Sequence, residues 1–355
     1  MKCRKFNFEK DAIIDFINLP KRIYNKNTNM ENPKQMRELL LNNHTLSKYF
    51  QLDKFLIYEN NDVVGRFCIT TYKDDMTAYI GFIEFVNDKK IANFLFEKAY
   101  DFVKEKGYKK IVGPVDASFW IKYRLKINLF DCIPYAGEPY NRDYYFKFFV
   151  DNKYKVVEHY TSNAFSVIDK LEHNEKIENR YKEFNERGYK IISPKIKNFD
   201  NLIDELYCLI IDLYSDFPTF KLVSAKDFKE LFKSYKYIIN TEMIKIAYYK
   251  QKAVGFLVSI PNYYNEVYHI GLSNIFKILK LKRKPNEYIM LYMGVDRAHR
   301  GLGKALLGAI VEELKNIGLP SIGALIRDGK ITNTYGREIV YKQYEYVLME
   351  CDIGD

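Results

Sequence analysis

A chain of 355 residues exceeds what one hydrophobic core usually organises, and its 47% hydrophobic content supplies enough apolar side chains for two domains. The net charge of +10 is spread over both halves and forms no basic tail, so composition gives little support to a nucleic-acid-binding protein. The five scattered cysteines contain no CxxC pair, and the sequence has no HExxH or GxSxG motif, which argues against disulfide scaffolds, zinc hydrolysis and serine-nucleophile chemistry.

No apolar run is long enough to cross a bilayer, and acidic residues stand where a signal peptide would be continuously apolar. The sequence therefore predicts a cytoplasmic protein without a membrane partner.

The first half alternates strands and helices. Strands are predicted at 2–8, 55–60, 63–72, 79–86, 109–115 and 154–160, and helices at 9–19, 91–107 and 141–154. Trp120, Glu138, Tyr140 and Tyr144 lie in the stretches 113–120 and 135–145, where they either line a pocket facing the second domain or form the aromatic edge of a core.

The second half repeats that order. Strands are predicted at 187–196, 243–249, 253–260, 287–295, 321–327 and 344–352, and helices at 198–217, 224–235 with Ser224 as N-cap, 303–317 and 332–343. A basic cluster sits in an apparent insertion before 287 and is interpreted as a solvated loop or as charge near a phosphate, in preference to a nucleic-acid patch: Lys277, Lys280, Lys282, Arg283 and Lys284. The repeat predicts an α/β (α+β) chain with two tandem mixed-sheet domains, 1–170 and 171–355.

One stretch of the second half carries a specific chemistry. A strand ending at Val295 leads into the turn HRGLGKA and then into an amphipathic helix, which Gly318 and Pro320 close. Such a turn brings free backbone N–H groups and the positive end of a helix dipole to one point, which is suited to binding phosphate. Gly301 and Gly303 leave space for a diphosphate at the amides of residues 301–305, and Arg300 and Lys304 supply positive charge.

Two common phosphate loops do not fit this turn. The Walker pattern needs four residues between its glycines and a following Gly-Lys-Ser/Thr, and the dinucleotide fingerprint needs a third glycine where Leu306 stands.

The turn resembles motif A of the GNAT superfamily of acyl-CoA transferases, Arg/Gln-x-x-Gly-x-Gly/Ala, here Arg300-Gly-Leu-Gly303-Lys-Ala305. Val295 precedes the arginine by five residues, as in that family. The resemblance implies tandem GNAT-type domains and an acetyl-CoA or other acyl-CoA cofactor. It also implies these cofactor-binding residues: Met293, Val295, Arg300, Gly301, Leu302, Gly303, Lys304, Ala305, Leu306 and Asn333. In the first half, Asp88 and the absence of glycine oppose phosphate binding, so residues 1–170 are expected to have lost the cofactor site.

The resemblance also implies two catalytic residues. Glu287, thirteen residues before Arg300, matches the family's general base on the fourth strand, although a solvent-facing glutamate at a strand start is equally consistent with the sequence. Tyr341 matches the proton donor to the departing thiolate, with Tyr335 in reserve, although Glu345 stands where the family has glycine and Asn333 lies one residue farther upstream than usual.

The sequence thus predicts an N-acyltransferase, most simply an N-acetyltransferase, that uses acyl-CoA and a primary amine of a small molecule or peptide. Two alternatives stay open: a Fem-type peptidyl transferase that uses aminoacyl-tRNA, and a non-catalytic protein that senses CoA or binds tRNA. The sequence predicts no metal and leaves the oligomeric state open.

Overall fold

A computed structural model describes residues 1–169, 171, 174–269, 271–330 and 336–354. The chain forms two compact units that are not contiguous in sequence. Unit 1 comprises 1–134, 138–160 and 345–355, and unit 2 comprises 135–137 and 161–344. The division at residue 170 predicted from the sequence therefore places three segments differently, most notably the C-terminal strand, which packs in unit 1.

Unit 1 is built on a mixed sheet with helices on both faces. Its elements are β1 (Lys2–Phe6), α1 (Lys10–Asn18), α2 (Pro20–Ile23), α3 (Pro33–Leu40), β2 (Gln51–Glu59), β3 (Asp62–Thr71), β4 (Thr77–Phe85), α4 (Lys89–Glu105), β5 (Lys110–Gly113), β6 (Val115–Asp116), β7 (Lys122–Tyr123), β8 (Leu125–Lys126), α5 (Tyr145–Asp151) and the start of β9 (Lys155–Phe165). The strands β1 to β5 lie side by side in chain order, antiparallel except for the parallel pair β4 and β5.

The end of β15 (Val340–Asp352) completes this sheet and its core. Met349–Asp352 pairs antiparallel with β5, and Val347, Met349 and Cys351 are buried in the cluster that α4 and α5 cover. On the opposite face, α1 and α3 pack over a second cluster around Phe16 and Leu39.

The irregular segment before α5 belongs to this core. Lys126 and Glu138 form a fully buried ion pair at 2.6 Å, and the Tyr346 hydroxyl donates to the same Glu138 oxygen at 2.7 Å. Since a buried charge is strongly unfavourable without a partner, these contacts account for the burial of Glu138. For Glu138 and Tyr140, which are both buried, the core interpretation is the correct one.

Unit 2 has the same plan. Its elements are α6 (Glu175–Glu186), β10 (Lys190–Ile192), α7 (Phe199–Tyr214), α8 (Ala225–Phe232), β11 (Ile244–Tyr249), β12 (Lys252–Pro261), α9 (Leu272–Arg283), β13 (Tyr288–Val295), α10 (Leu302–Ile317), β14 (Ser321–Arg327) and the first residues of β15. The strands β10 to β14 lie side by side, again with one parallel pair, β13 and β14. Beside β14, residues 161–165 of β9 provide the next strand.

Helices cover both faces of this sheet too. α10 buries Leu302, Leu306 and Ile310 against β11 and β12, and α6 packs along α10 where Gly308 allows close approach to Ile177 and Tyr181. On the other face, α7 approaches β13 so closely that a Cβ at Gly294 would lie 2.7 Å from the Leu213 side chain. Ser224 caps α8 as predicted, accepting from the Asp227 N–H.

Several sequence-based element assignments need correction, and the short helices α2 and α3 were not predicted. The predicted helix at 332–343 is absent over its described part, where a 3₁₀ turn at Arg337–Ile339 leads directly into β15. The basic insertion is a helix, α9, and not a loop. α6 was missed because its polar residues outnumber the few that it buries, Ile177 and Phe184.

Candidate active site

The two parallel strands of unit 2 separate at the carboxyl end. β13 and β14 pair only from Tyr288 to Met290, opposite Ser321 to Gly323. Beyond Met290 the ladder stops, and a bulge between β12 and β13 leaves Leu291 out of register. Among the residues that the structure describes, no strand pairs with Leu291 to Val295 on the β14 side, which leaves an open edge of about 16 Å. Crevices at the carboxyl ends of parallel strands are where α/β sheets commonly bind ligands.

The glycine turn lies at the end of this open edge. Gly301 has a φ of 89°, the left-handed conformation that favours glycine, and no side chain caps α10. Leu302, Ala305 and Leu306 are buried and anchor the first turn of α10. The first N–H groups of the helix point out of its N-terminal end.

Not all of the predicted amides are available. The N–H groups of Leu302 and Lys304 donate to the carbonyls of His299 and Gly301, both at 3.2 Å. Within the part of the chain that the structure describes, the amides of Gly301 and Gly303 donate to no protein acceptor. These two glycine amides are the donors that a phosphate would meet.

Positive charge surrounds the turn, and part of it was missed. Arg300 is exposed and Lys304 is half-buried. Arg180 of α6 also lies here, because a Cβ built on Gly301 would be 3.7 Å from its guanidinium. Arg180 could have been found only by recognising α6, which its weak apolar pattern concealed.

Neighbouring side chains hold the turn and the strand before it. The Tyr189 hydroxyl lies 2.7 Å from His299 Nδ1, and the Tyr189 and Tyr249 rings flank the imidazole, each at 5.5 Å. The Tyr214 hydroxyl donates to the Met293 carbonyl at 3.2 Å, and Val295 is the last residue of β13. Asn333 and the reserve tyrosine Tyr335 lie outside the described residues.

Unit 1 has the corresponding positions, but its own side chains occupy them. Asp88 caps α4, accepting from the N–H groups of Lys90 at 2.7 Å and Ile91 at 3.2 Å. Those are the donors that a phosphate at this helix would need, and the carboxylate would also repel it.

The opening between β4 and β5 is narrowed as well, to a small cavity lined in part by Phe82, Asp116 and Lys122. Asp116 accepts from the Phe82 N–H at 2.5 Å and pairs with Lys122 at 2.9 Å. A Cβ at Gly81 would lie 1.8 Å from the Val115 carbonyl, which shows how tightly β6 fits against β4. This packing provides a second physical reason, besides Asp88, to expect no cofactor site in unit 1.

Glu287 lies directly before β13, near the point where β13 and β14 separate. Asn262 donates from Nδ2 to a Glu287 carboxylate oxygen at 2.8 Å, and its N–H donates to the Glu287 carbonyl at 2.8 Å. Burial raises the pKa of Glu287, while the Asn262 hydrogen bond and the charge of Lys342 act in the opposite direction. Glu287 is thus a half-buried, oriented carboxylate, and not a simple solvent-facing one.

Asn262 was missed by the sequence reasoning. It is buried, and its side-chain oxygen accepts from the N–H groups of Ala136 at 3.0 Å and Tyr264 at 2.9 Å, so its orientation is set on both sides. It could not be found from the sequence, because only the observed pairing of Pro261 with Tyr288 places residue 262 opposite residue 287.

Tyr341 lies in a different setting from the one expected. It is on strand β15 and not on a helix, and 52% of it is exposed.

Among the described residues, no group of His, Cys, Asp and Glu side chains is arranged to hold a metal ion. In the same part of the chain, no helix combines the length and the apolar content that crossing a bilayer requires.

The sequence matches no protein-family model and no curated protein. Solved structures do resemble the chain. A tandem GNAT protein from the clavulanic acid biosynthesis pathway superposes with a TM-score of 0.54 at 10% identity, covering 100% of this chain and 99% of its own. A probable N-acyltransferase from Enterococcus faecalis gives 0.53 at 10% identity, covering 99% of this chain and 72% of its own. A GCN5-related N-acetyltransferase from Anabaena variabilis gives a TM-score of 0.53 at 8% identity, covering 99% of this chain and 73% of its own. The sequence motif, the repeated architecture of the two units and these likenesses lead to the same conclusion: the chain has the tandem-domain fold of the GNAT superfamily.

Proposed function

We propose that this protein is an N-acyltransferase that moves an acyl group, most simply acetyl, from acyl-CoA to a primary amine. Unit 2 would bind the cofactor, and unit 1 would be a GNAT-like domain without a cofactor site. The proposal places the reaction in the cytoplasm, where acyl-CoA is available.

The observation that carries the proposal is the difference between two equivalent helix N-termini. In unit 1 the Asp88 carboxylate occupies the first amides of α4, whereas in unit 2 the first turn of α10 has a left-handed glycine and no side-chain cap. With Arg180, Arg300 and Lys304 close by, the α10 terminus is suited to a diphosphate and the α4 terminus is not.

We propose that the open edge of β13 binds the part of the cofactor beyond its diphosphate. The diphosphate of CoA would lie at Gly301 and Gly303, and the arm would run along residues 291–295 towards Glu287. CoA would supply the acyl group as a thioester.

The chain's own residues would then manage protons. A lysine-like amine with a pKa of about 10.4 is neutral in fewer than about one molecule in a thousand at pH 7, which costs about 4 to 5 kcal/mol. We assign Glu287 as the base that accepts this proton, held by Asn262. We assign Tyr341 as the donor of a proton to the sulfur that leaves.

The proposal is tested by a thermal-shift screen of the full chain with acetyl-CoA, longer acyl-CoAs and tRNA, followed by amine libraries with the ligand that stabilises. We expect acyl-CoA to stabilise and an amine to consume it. Stabilisation by tRNA alone would favour a Fem-type peptidyl transferase or a tRNA-binding protein. Binding of acyl-CoA with no amine consumed would favour a CoA sensor.

Replacing Glu287 by glutamine removes the proposed base but keeps the side-chain volume. We expect kcat/KM to fall most at low pH and to recover in part as pH rises, because the neutral amine becomes more abundant. A pH–rate profile of both proteins measures this difference. Wild-type rates at all pH values would exclude Glu287 as the base.

A second variant checks the same assignment without touching the carboxylate. Lys342 is exposed, and its charge lowers the pKa of Glu287. Lys342→Gln should therefore move the acid limb of the wild-type profile to higher pH, while leaving the plateau rate unchanged. Adding Lys342→Gln to the Glu287→Gln protein should not shift the acid limb, because the carboxylate that titrates is absent.

Tyr341→Phe removes a hydroxyl from an exposed position, so folding should be unaffected. If this hydroxyl protonates the leaving sulfur, turnover should drop by roughly 10²- to 10⁴-fold, as is typical when a general acid is lost, with little change in affinity for CoA. Single-turnover rates and calorimetric binding of CoA separate the two effects. Unchanged turnover would assign Tyr341 a structural role only.

A further inference from the structure

Helix α9 carries an apolar stripe that no residue described by the structure covers. Leu272, Ile275, Phe276 and Leu279 follow the spacing of one helix face, and all four are exposed, Leu272 at 81% and Phe276 at 72%. The opposite face, with Asn274, Ile278 and Leu281, is half-buried against unit 2. The exposed stripe is therefore not the face by which α9 packs on unit 2.

Basic residues border this stripe, and no acidic residue lies between them. From 272 to 284 the chain has five basic residues and no aspartate or glutamate: Lys277, Lys280, Lys282, Arg283 and Lys284. At 100° per residue, Lys280 and Lys282 fall on the two flanks of the apolar stripe, and Arg283 falls at its end. Except for Lys282, which is half-buried, these cations are exposed.

Contacts within unit 2 hold the helix with this face outward. Lys277 pairs with Glu266 at 2.6 Å on the inner side, and Lys282 Nζ donates to the Tyr237 carbonyl at 2.7 Å. Tyr237 itself is 67% exposed, with Lys236 over its ring at 5.0 Å. A second element thus adds an exposed aromatic ring and another cation beside α9.

From this geometry we propose that α9 is a membrane-surface helix that docks the protein on an anionic lipid bilayer, independently of the acyl-transfer chemistry. An apolar stripe flanked by lysine and arginine, with tyrosine at its border, matches the boundary between acyl chains and anionic headgroups. Binding to RNA would use the cations but would leave Leu272 and Leu279 without a role. The expectation that the protein has no membrane partner rested on the lack of a spanning segment, which a helix lying in the interface does not need.

Co-sedimentation of the full chain with vesicles tests the proposal. We expect binding to phosphatidylcholine vesicles that contain phosphatidylglycerol, weakening with added salt, and much less binding to pure phosphatidylcholine. Phe276→Asp with Leu279→Asp should abolish binding. Lys280→Gln and Arg283→Gln should each lower the partition coefficient about fivefold.

Leu171→Asp is the matched control, because Leu171 is 84% exposed in the same unit but lies outside α9. It should bind like the unmodified chain. Melting curves verify that all variants fold. If the double aspartate variant does not fold, the two glutamine variants still test the proposal.

Other outcomes would overturn the proposal. They are no binding to anionic vesicles, equal binding to neutral ones, or equal loss in the Leu171→Asp control. Binding of tRNA that requires Lys280 and Arg283, without vesicle binding, would overturn it in favour of a nucleic-acid surface.

Discussion

Acetyl-CoA is expected to raise the melting temperature of the full chain, and the Gly303→Val variant is expected to lose that rise. At a ligand concentration one hundred times Kd, binding stabilises a protein by about 2.7 kcal/mol, so the loss is readily measured. Valine puts a branched side chain into the first turn of α10, beside the two glycine amides that we assign to the diphosphate. Differential scanning fluorimetry with and without acetyl-CoA gives the result.

The two similar units provide an internal control for this experiment. Asp88→Asn alters the equivalent helix of unit 1 and keeps an N-capping side chain, so it should leave the shift unchanged. Because valine changes both the helix propensity and the packing at position 303, the melting temperature of the unliganded Gly303→Val protein must be compared with that of the wild type first. If Gly303→Val binds acetyl-CoA with wild-type affinity, the cofactor site is elsewhere.

The second large effect is expected on truncation. Residues 171–355, which contain every residue that we assign to chemistry, should be insoluble or poorly folded when expressed alone. The truncated chain lacks residues 161–165, the strand next to β14, and with them Ser162, whose hydroxyl accepts from the Leu325 N–H at 2.8 Å. It also lacks Ile168, a buried member of the unit 2 core.

The C-terminal strand would also lose its packing partners in the truncated chain. Residues 349–352 would lose β5, and the buried side chains of Val347, Met349 and Cys351 would lose the core of unit 1. An apolar strand without partners promotes aggregation. Yields after gel filtration, and acetyl-CoA affinity of any soluble fraction, measure the effect. A soluble, monomeric fragment with wild-type affinity would show that unit 2 needs neither segment.

The sequence by itself determined the class of fold and the position of the glycine turn. Apolar periodicity located most strands and the long helices α4, α7 and α10, because each buries a continuous face. The turn from Arg300 to Ala305 was identifiable because its glycines and cations are adjacent in the chain. The contrast with Asp88 was equally local, since a cap involves neighbouring residues.

Only the tertiary structure decided features that depend on residues distant in sequence. The assignment of 345–352 to unit 1 follows from pairing with β5, more than 200 residues away, and a hydrophobic strand pattern does not name its partner. Asn262 holds Glu287, and Arg180 lies beside Gly301, because antiparallel pairing and helix packing bring them together. The exposed stripe of α9 was likewise undecidable from periodicity, since the same spacing describes a face packed on a core and a face left in solvent.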